Sequence, residues 1–281
     1  MITIVGNALN AANKKVLEKM NKMDFEYVKR EVLSQVADGA EFIEVNASSL
    51  MDNELPFLRK AIHIIEGCGA KALVRSESIE TLMEVVGLVK NEVMIGDVEF
   101  DPGKINRILS SIPMNNGKEV KIVATTREKG HRYGSTPERA LLLAQLAVDY
   151  LLDRGIKREN ILLNPVVRPL EEDLFNGKLF LNTLELFKLD FPHVKTIANL
   201  STLSEGLPMR SLISCHFVSL AIDKGLDYIV IDMLEKSVIE SIITTLTIIG
   251  KDRNMQSYLT FCRNNREMKK KVIQPSMEAH D

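Results

Sequence analysis

The chain has 281 residues, of which 45% are hydrophobic and 26% are charged, as in an ordinary folded globular protein. Its formal net charge of −2 argues against general nucleic-acid binding, and no run of about 18 apolar residues predicts a membrane span. Three widely separated cysteines and five histidines without metal-ligand spacing argue against disulfides and against a zinc site. We therefore expect a cytoplasmic protein without a secretion signal and without a metal.

Eight short apolar segments alternate with longer segments of helical spacing. The segments predicted as strands cover residues 2–5, 42–46, 71–75, 92–96, 120–125, 160–164, 194–198 and 227–231. Strict alternation of strands and helices predicts a parallel sheet, and near-continuously apolar strands are typical of sheets that are buried on both faces. We predict an α/β protein with a single (β/α)8 TIM barrel, and an open doubly wound sheet is the alternative.

The predicted barrel extends over residues 1–265. Residues 266–281, "REMKKKVIQPSMEAHD", are polar and charged, and we assign them to a C-terminal tail. Within the barrel, the apolar helical segment 237–250 has two interpretations, a dimer interface or ordinary packing against the strands.

Polar side chains follow the predicted strands at the points where they end. Ligands of such barrels bind at the C-terminal ends of the strands, and buried polar groups there need partners. Several amides in one ring favour a heteroaromatic or otherwise polar small ligand. No predicted strand ends in a lysine that is suited to form a Schiff base. An unrelated lyase or synthase on a barrel is therefore the least favoured function. The predicted ligand-binding residues are Asn10, Asn46, Arg75, Asp97, Asn164, Arg168 and Ser201.

Two loops have both a functional and a purely structural interpretation. The segment "IANLSTLSEGLPMR" (197–210) is either a turn with a helix cap or one wall of the binding site. The basic loop 125–139 is either solvated or a clamp for an anion. Its basic residues are Arg127, Lys129, His131 and Arg132.

Four motifs give the chain a family resemblance. They are "IVGNALN" (4–10), "FIEVNAS" (42–48), "GIKRENILLNPVVRPL" (155–170) and "LSTLSEGLPMR" (200–210). Over roughly residues 2–264, the chain resembles the methyltetrahydrofolate:corrinoid methyltransferases, a branch of the pterin-binding barrels that includes dihydropteroate synthases. The resemblance implies a homodimer that moves a methyl group from N5 of methyltetrahydrofolate to the cobalt of a corrinoid carried by a partner protein.

The resemblance also implies how the site works. Carboxylates at strand ends bind the amino and amide edge of the pterin through paired hydrogen bonds, and a carboxamide near N5 stabilises positive charge in the transition state. In the seventh-strand motif of this chain, Thr202 stands at the position of that carboxamide. If the alignment is shifted, Asn199 becomes the relevant amide instead. We predict that Asn199 and Thr202 are the catalytic residues.

Three further positions depart from the family pattern. Arg75 replaces an acid, Gly96 replaces an asparagine, and Asn164-Pro165 replaces Asp-Pro. A guanidinium cannot accept a hydrogen bond from the pterin amino group, and a buried arginine needs an acidic partner. We expect Arg75 to contact the ligand or an internal acid, for which the candidates are Glu44, Glu77 and Asp97.

Two hypotheses follow from these departures. The first is a methyltransferase that works with the corrinoid of a partner protein and uses a methyl carrier other than ordinary methyltetrahydrofolate. The second is a non-catalytic relative that binds an anionic small molecule or docks a corrinoid protein.

Overall fold

The computed structural model describes residues 2–90, 92–112, 119–127 and 136–273, with side chains through residue 264. Eight parallel strands form a closed barrel in which every strand pairs with its neighbours in sequence and β1 pairs with β8. The strands are β1 (Thr3–Asn10), β2 (Phe42–Asn46), β3 (Lys71–Arg75), β4 (Glu92–Glu99), β5 (Glu119–Thr125), β6 (Ile161–Asn164), β7 (Lys195–Asn199) and β8 (Tyr228–Ile231).

Helices surround the barrel, one or two after each strand. In the described part of the chain they are α1 (Lys14–Asn21), α2 (Phe25–Ala37), α3 (Glu54–Gly67), α4 (Ile79–Leu88), α5 (Pro102–Ser110), α6 (Pro137–Leu152), α7 (Asn176–Asp190), α8 (Arg210–Asp223), α9 (Lys236–Ile248) and α10 (Gln256–Ile273). Among the described residues, no helix is both long enough and apolar enough to cross a bilayer.

The predicted (β/α)8 barrel is confirmed, and the alternative of an open sheet is wrong because the first and last strands pair. All eight predicted strands are present. Two of them, β1 and β4, continue further than predicted, to Asn10 and Glu99. Each has a shift of register near its end, between Gly6 and Leu9 in β1 and between Ile95 and Val98 in β4. These irregular ends bring polar residues to the mouth of the barrel.

The interior of the barrel contains one apolar layer with a residue from each strand. Because side chains alternate between the two faces of a strand, residues two positions later also point inward, toward the C-terminal mouth. Charged and polar side chains occupy that next layer, among them Glu44, Arg75, Thr125, Asn164 and Asn199. The apolar layer consists of Val5, Phe42, Leu73, Met94, Val123, Leu162, Ile197 and Val230.

Helix α6, in the outer layer of the barrel, begins and ends at residues that are typical of helix termini. The Thr136 side chain accepts a hydrogen bond from the Arg139 backbone nitrogen at 3.3 Å, and Pro137 is the first helical residue. The chain then turns at Gly155, whose φ of +79° suits glycine. Ala140, Ala144 and Leu151 are buried against the barrel.

Helices α9 and α10 contain most of the apolar segment 237–250 and the first residues of the predicted tail. Helix α9 buries Val238, Ile239 and Ile242 within the chain, whereas Ile248 is 77% exposed. Most of the apolar segment 237–250 therefore packs internally, and the dimer stays a prediction. Helix α10 continues past residue 265 to Ile273, and residues 274–281 lie outside the described residues, so the division into barrel and tail also stays a prediction.

An ion cluster around Asp227 ties β7 and β8 together at the N-terminal end of the barrel. The carboxylate accepts hydrogen bonds from the Thr196 backbone nitrogen at 2.9 Å, from Lys195 Nζ at 3.0 Å and from Lys188 Nζ. Burial opposes the charged form of Asp227, but the Lys188 ammonium and these hydrogen bonds together lower its pKa below the ordinary value of 3.8. The cluster therefore stabilises the folded state when Asp227 is ionised.

We predict that Asp227→Asn lowers the free energy of unfolding at pH 7 by about 2 kcal/mol, because it weakens charged hydrogen bonds. Because the pKa of Asp227 is lower in the folded state, its contribution to stability is fully present above the ordinary value of 3.8. That contribution is lost as the pH falls through the folded-state pKa of Asp227. The difference between variant and wild type should therefore narrow in acid, as urea denaturation at a series of pH values would show. Lys195→Met, at a lysine whose side chain is 53% exposed, is the control and should cost less than about 1 kcal/mol. A difference that stays constant into acid would contradict the assignment.

Gly6 allows β1 to pass close to α2. A Cβ at this position would overlap Gln35 Oε1 and lie 3.2 Å from Met233 Cγ. Gln35 is 2% exposed, and its Oε1 accepts a hydrogen bond from the Ala8 backbone nitrogen at 3.2 Å. This contact holds the irregular part of β1 that leads to the mouth.

We predict that Gly6→Ala lowers the free energy of unfolding by about 1–3 kcal/mol, because the methyl group displaces a buried hydrogen-bonding side chain. Gly67→Ala, where a Cβ has no atom within 4 Å, is the control and should be neutral or stabilising. Thermal melting of both variants measures the effect, and equal melting temperatures would refute the role given to Gly6.

Candidate functional site

A cavity of about 270 Å³ opens along the barrel axis at the C-terminal mouth. Two apolar residues, Val166 and Val167, contribute to its wall, and the other lining residues are polar or charged and come from seven strands or the loops that follow them. These are Asn10, Glu44, Asn46, Arg75, Asp97, Thr125, Arg127, Asn164, Asn199 and Thr202. Seven of the nine predicted site residues thus surround one cavity, and their roles stay predictions.

Arg75 crosses this mouth and is held by two acids. Its Nε lies 2.9 Å from Glu44 Oε2, and its Nη1 pairs with Asp97 Oδ2. The side chain of Arg75 is 15% exposed and that of Glu44 only 2%. Arg75 therefore meets internal acids, as expected, and its partners are Glu44 and Asp97 rather than Glu77.

Gly96 makes room for Arg75. A Cβ at position 96 would lie 3.3 Å from Arg75 Cγ and 3.1 Å from Leu73 Cδ1. The aliphatic part of the Arg75 side chain therefore lies close to where a side chain at position 96 would begin. The arginine in β3 and the glycine in β4 are two parts of one packing arrangement.

Asn164 completes the network from the opposite side. Its Nδ2 donates a hydrogen bond to Asp97 Oδ1 at 2.8 Å. Asp97 lies within the register shift of β4, and its side chain is 35% exposed. Both oxygens of this carboxylate are engaged, one by Arg75 and the other by Asn164.

Three strand-ending asparagines share a different arrangement. Asn10 Oδ1 accepts from the Ala12 backbone nitrogen at 3.0 Å. Asn46 Oδ1 accepts from Ser48 Oγ at 2.7 Å, and Asn199 Oδ1 accepts from Ser201 Oγ at 2.6 Å. In each case the amide oxygen is bound to the turn that follows the strand, and Nδ2 makes no hydrogen bond to another described residue.

The loop after β7 has features of both predicted interpretations, a turn with a helix cap and a wall of a cavity. It forms a short 3-10 helix, Leu200–Ser204, for which Asn199 is the cap. Arg210 Nη2 donates to the Ser201 carbonyl at 3.1 Å, which ties the loop to the start of α8. Thr202 lines the axial cavity, while Ser201 does not line it and acts by orienting Asn199. The segment is therefore both a helix cap and a wall of the cavity.

Arg168 lies elsewhere. It lines a separate cavity of about 30 Å³ with Thr126, Thr183 and Asn176, beneath the loop that follows β6. From the basic loop, Arg127 pairs with Glu99, at 2.9 Å from Nε and 2.7 Å from Nη2. Lys129, His131 and Arg132 lie outside the described residues.

A larger cavity that the sequence did not predict adjoins the axial one. Its volume is about 540 Å³, and it lies between the exits of β3 and β4 and helix α5. Arg75 and Asp97 line both cavities, together with Asn46 and Arg127. The Arg75–Asp97 ion pair is thus part of the wall between them. The remaining polar lining of the larger cavity consists of Ser48, Ser76, Glu77, Glu99 and Lys104.

One carboxyl near the mouth has a perturbed pKa. Burial, together with the charge of Asp232, raises the pKa of Glu235 after β8. Glu235 is not among the residues that line the two cavities. Across the described residues, no cluster of histidine, cysteine, aspartate and glutamate has the arrangement of a metal site.

Comparison with known proteins finds a sequence relative that matches nearly the whole chain. No family model matches. A methylcorrinoid:tetrahydrofolate methyltransferase from Eubacterium limosum is 24% identical over 258 residues, which cover 91% of this chain and 94% of that protein.

Solved structures with the same fold include dihydropteroate synthases. The Coxiella burnetii enzyme in complex with pteroic acid has a TM-score of 0.64 at 14% identity and covers 88% of this chain and 93% of its own. The Anaplasma phagocytophilum enzyme with 6-hydroxymethylpterin-monophosphate has a TM-score of 0.61 at 18% identity, covering 88% of this chain and 99% of its own. These findings confirm the resemblance predicted from the sequence: the chain is similar in sequence to a methylcorrinoid:tetrahydrofolate methyltransferase, and it shares its barrel fold with dihydropteroate synthases.

Proposed function

We propose that the protein transfers a methyl group between a small carrier at the barrel mouth and the cobalt of a corrinoid carried by a partner protein. The carrier is not ordinary methyltetrahydrofolate. The observation behind this proposal is an axial cavity that retains Asn199 at the end of β7 while Arg75 occupies the position of the expected acid. The likeness to the Eubacterium limosum methyltransferase supports the reaction class.

The chemistry that the mouth can assist is the departure of a methyl group from a heteroatom. The reduced corrinoid of the partner protein would supply the nucleophile that takes the methyl group, and the electron pair of the carbon–heteroatom bond would remain on the carrier. A hydrogen-bond donor at that atom stabilises the developing electron pair. Asn199 is suited to this role because its Oδ1 is fixed by Ser201, which leaves Nδ2 as a positioned donor. The Thr202 hydroxyl lines the same cavity and can support it.

Arg75 argues against ordinary methyltetrahydrofolate. A pterin presents two neighbouring N–H donors, which two carboxylate oxygens can accept together. Here both oxygens of Asp97 are engaged, by Arg75 and by Asn164, and one oxygen of the buried Glu44 is engaged by Arg75. Separating Glu44 from Arg75 would leave an unpaired buried charge, at a cost of about 3–5 kcal/mol.

The internal pairing of Arg75 also favours a second function. A mouth whose charged side chains pair with one another fits a non-catalytic relative that binds an anionic molecule or docks a corrinoid protein. The two functions differ in one respect, which is turnover.

A homodimer stays part of the proposal. The exposed apolar residues Leu212 and Leu220 on α8, at 51% and 53% exposure, and Ile248 on α9 are available to a second copy. The corrinoid protein is the other expected partner.

The deciding experiment follows methylation of reduced cobalamin, a stand-in for the corrinoid protein, with a panel of N-methyl and O-methyl compounds that includes methyltetrahydrofolate. We predict turnover with a panel member and no calorimetric binding of methyltetrahydrofolate up to about millimolar concentration, since several charged hydrogen bonds are lost. Micromolar binding of methyltetrahydrofolate would restore the ordinary carrier, and no turnover with any compound would favour the non-catalytic alternative.

Asn199→Ala tests the catalytic amide. We predict a decrease in kcat of about 100-fold with any active carrier, the effect of removing a donor that acts on developing charge. Asn21→Ala, at an exposed position that ends α1, is the matched control and should leave kcat unchanged. A change confined to KM would mean that Asn199 only binds the carrier.

A further inference from the structure

One oxygen of the buried Glu44 carboxylate faces the axial cavity. Glu44 is 1% exposed and lines this cavity, and its Oε2 accepts a hydrogen bond from Arg75 Nε at 2.9 Å. Its Oε1 makes no hydrogen bond to another described residue. Glu54 Oε1 on α3 is a fully enclosed carboxylate oxygen, whereas Glu44 Oε1 is not enclosed and reaches the cavity. A ligand that donates a hydrogen bond to Glu44 Oε1 would satisfy this oxygen.

The other acid in the described lining of the axial cavity is Asp97, and both of its oxygens are engaged. Asp97 Oδ2 pairs with Arg75, and Asp97 Oδ1 accepts from Asn164 Nδ2 at 2.8 Å. Glu44 Oε1 is therefore the carboxylate oxygen that this part of the chain offers to a ligand.

The charges in the described lining of the axial cavity do not cancel. Arg127 lines the cavity, but its charge is balanced by Glu99 of the adjoining cavity, which it contacts through Nε and Nη2. Arg75 is shared between two acids, Glu44 and Asp97. Within the described lining one negative charge is thus in excess, and a partly buried charge favours a ligand of opposite sign.

We infer that the carrier has a positively charged N–H group, such as an ammonium group, that binds Glu44 Oε1. This inference rests on the proposed function and deepens it by naming the class of carrier. An ammonium group supplies the missing charge and a donor together, and such charge-assisted hydrogen bonds are roughly twice as strong as neutral ones.

The position of Glu44 separates this group from the methyl group that is transferred. Glu44 lies on β2 and Asn199 on β7, with β8 and β1 between these strands in the closed barrel. The ammonium group and the heteroatom that loses its methyl group therefore belong to different sides of the cavity. The part assigned to Glu44 is binding, and the part assigned to Asn199 is unchanged.

Three small probes of similar size isolate the charge of the ligand. Butylammonium, 1-butanol and butanoate share an unbranched carbon chain and end in a cationic, a neutral and an anionic group. Each is titrated into the wild-type protein at constant ionic strength, because salt screens exposed charges, and shifts of protein NMR signals give the dissociation constants. Butylammonium should bind at least about tenfold more tightly than the other two. Equal affinities, tighter binding of 1-butanol or butanoate, or binding of none of the three would overturn the inference.

Glu44→Gln is the second test because it removes the charge at nearly constant shape. The amide oxygen that remains can accept from Arg75 Nε, which puts an NH2 donor where Oε1 faces the cavity. The preference for butylammonium over 1-butanol should fall at least about tenfold, with the folded state checked by thermal melting. An unchanged preference in the folded variant would overturn the inference. The comparison of the three probes on the wild-type protein does not depend on this variant.

Glu77→Gln is the matched control for the loss of one acid. Glu77 is exposed and lines the adjoining cavity but not the axial one. Its preference for butylammonium should equal that of the wild type. An equal loss of preference in both variants would mean that butylammonium responds to the general charge of the mouth, which would refute the role given to Glu44.

The cobalamin assay separates this inference from the proposed function, because binding of the probes requires neither a corrinoid nor turnover. Turnover with a methyl carrier but no preference for butylammonium would leave the methyltransferase standing and refute the cationic class of carrier. A preference for butylammonium without any turnover would leave the cation site standing and refute methyl transfer.

Discussion

The ion pair between Arg75 and Glu44 is the interaction on which the mouth of this barrel depends. Both side chains point inward because Leu73 and Phe42, two positions earlier in β3 and β2, belong to the apolar layer of the interior. An ionised carboxylate with 1% exposure is costly to bury without a partner, and the permanent positive charge of Arg75 provides one. Glu44 therefore fixes where the guanidinium lies, and the guanidinium then determines what its neighbours can do.

The consequences extend across the mouth. The aliphatic part of the Arg75 side chain packs closely over Gly96, and the guanidinium engages Asp97, which the irregular end of β4 brings to the same place. Asn164 approaches Asp97 as a donor, where a second carboxylate would repel it. Asn10, Asn46 and Asn199 stand apart from this network, each fixed by its own turn. The mouth thus combines an ionic network with three amide NH2 groups that make no hydrogen bond to another described residue.

Much of this could be predicted from the sequence, and the parts that could not have physical reasons. The eight strands were predictable because apolar runs bounded by turns mark buried strands, and the closed barrel followed from their strict alternation with helices. The extended ends of β1 and β4 were not, because register shifts leave no apolar pattern. Arg168 was placed at the mouth by its closeness to the end of β6. Beyond a strand end the alternation of side chains is lost, and the irregular loop takes Arg168 to another cavity.

The pairing of Arg75 with Glu44 was within reach of the sequence, because alternation puts both residues on the inner face. What the sequence could not supply was the link between Arg75, Gly96 and Asn164. Taken one at a time, these residues are independent departures from the family pattern, and each would weaken pterin binding. In the folded chain they occupy contiguous space on β3, β4 and β6 and satisfy one another's volume, charge and hydrogen bonds. A damaged pterin site would show acids without a charged partner, whereas Glu44 and Asp97 both pair with Arg75. This pairing favours a mouth adapted to a different ligand over one that has merely lost its own.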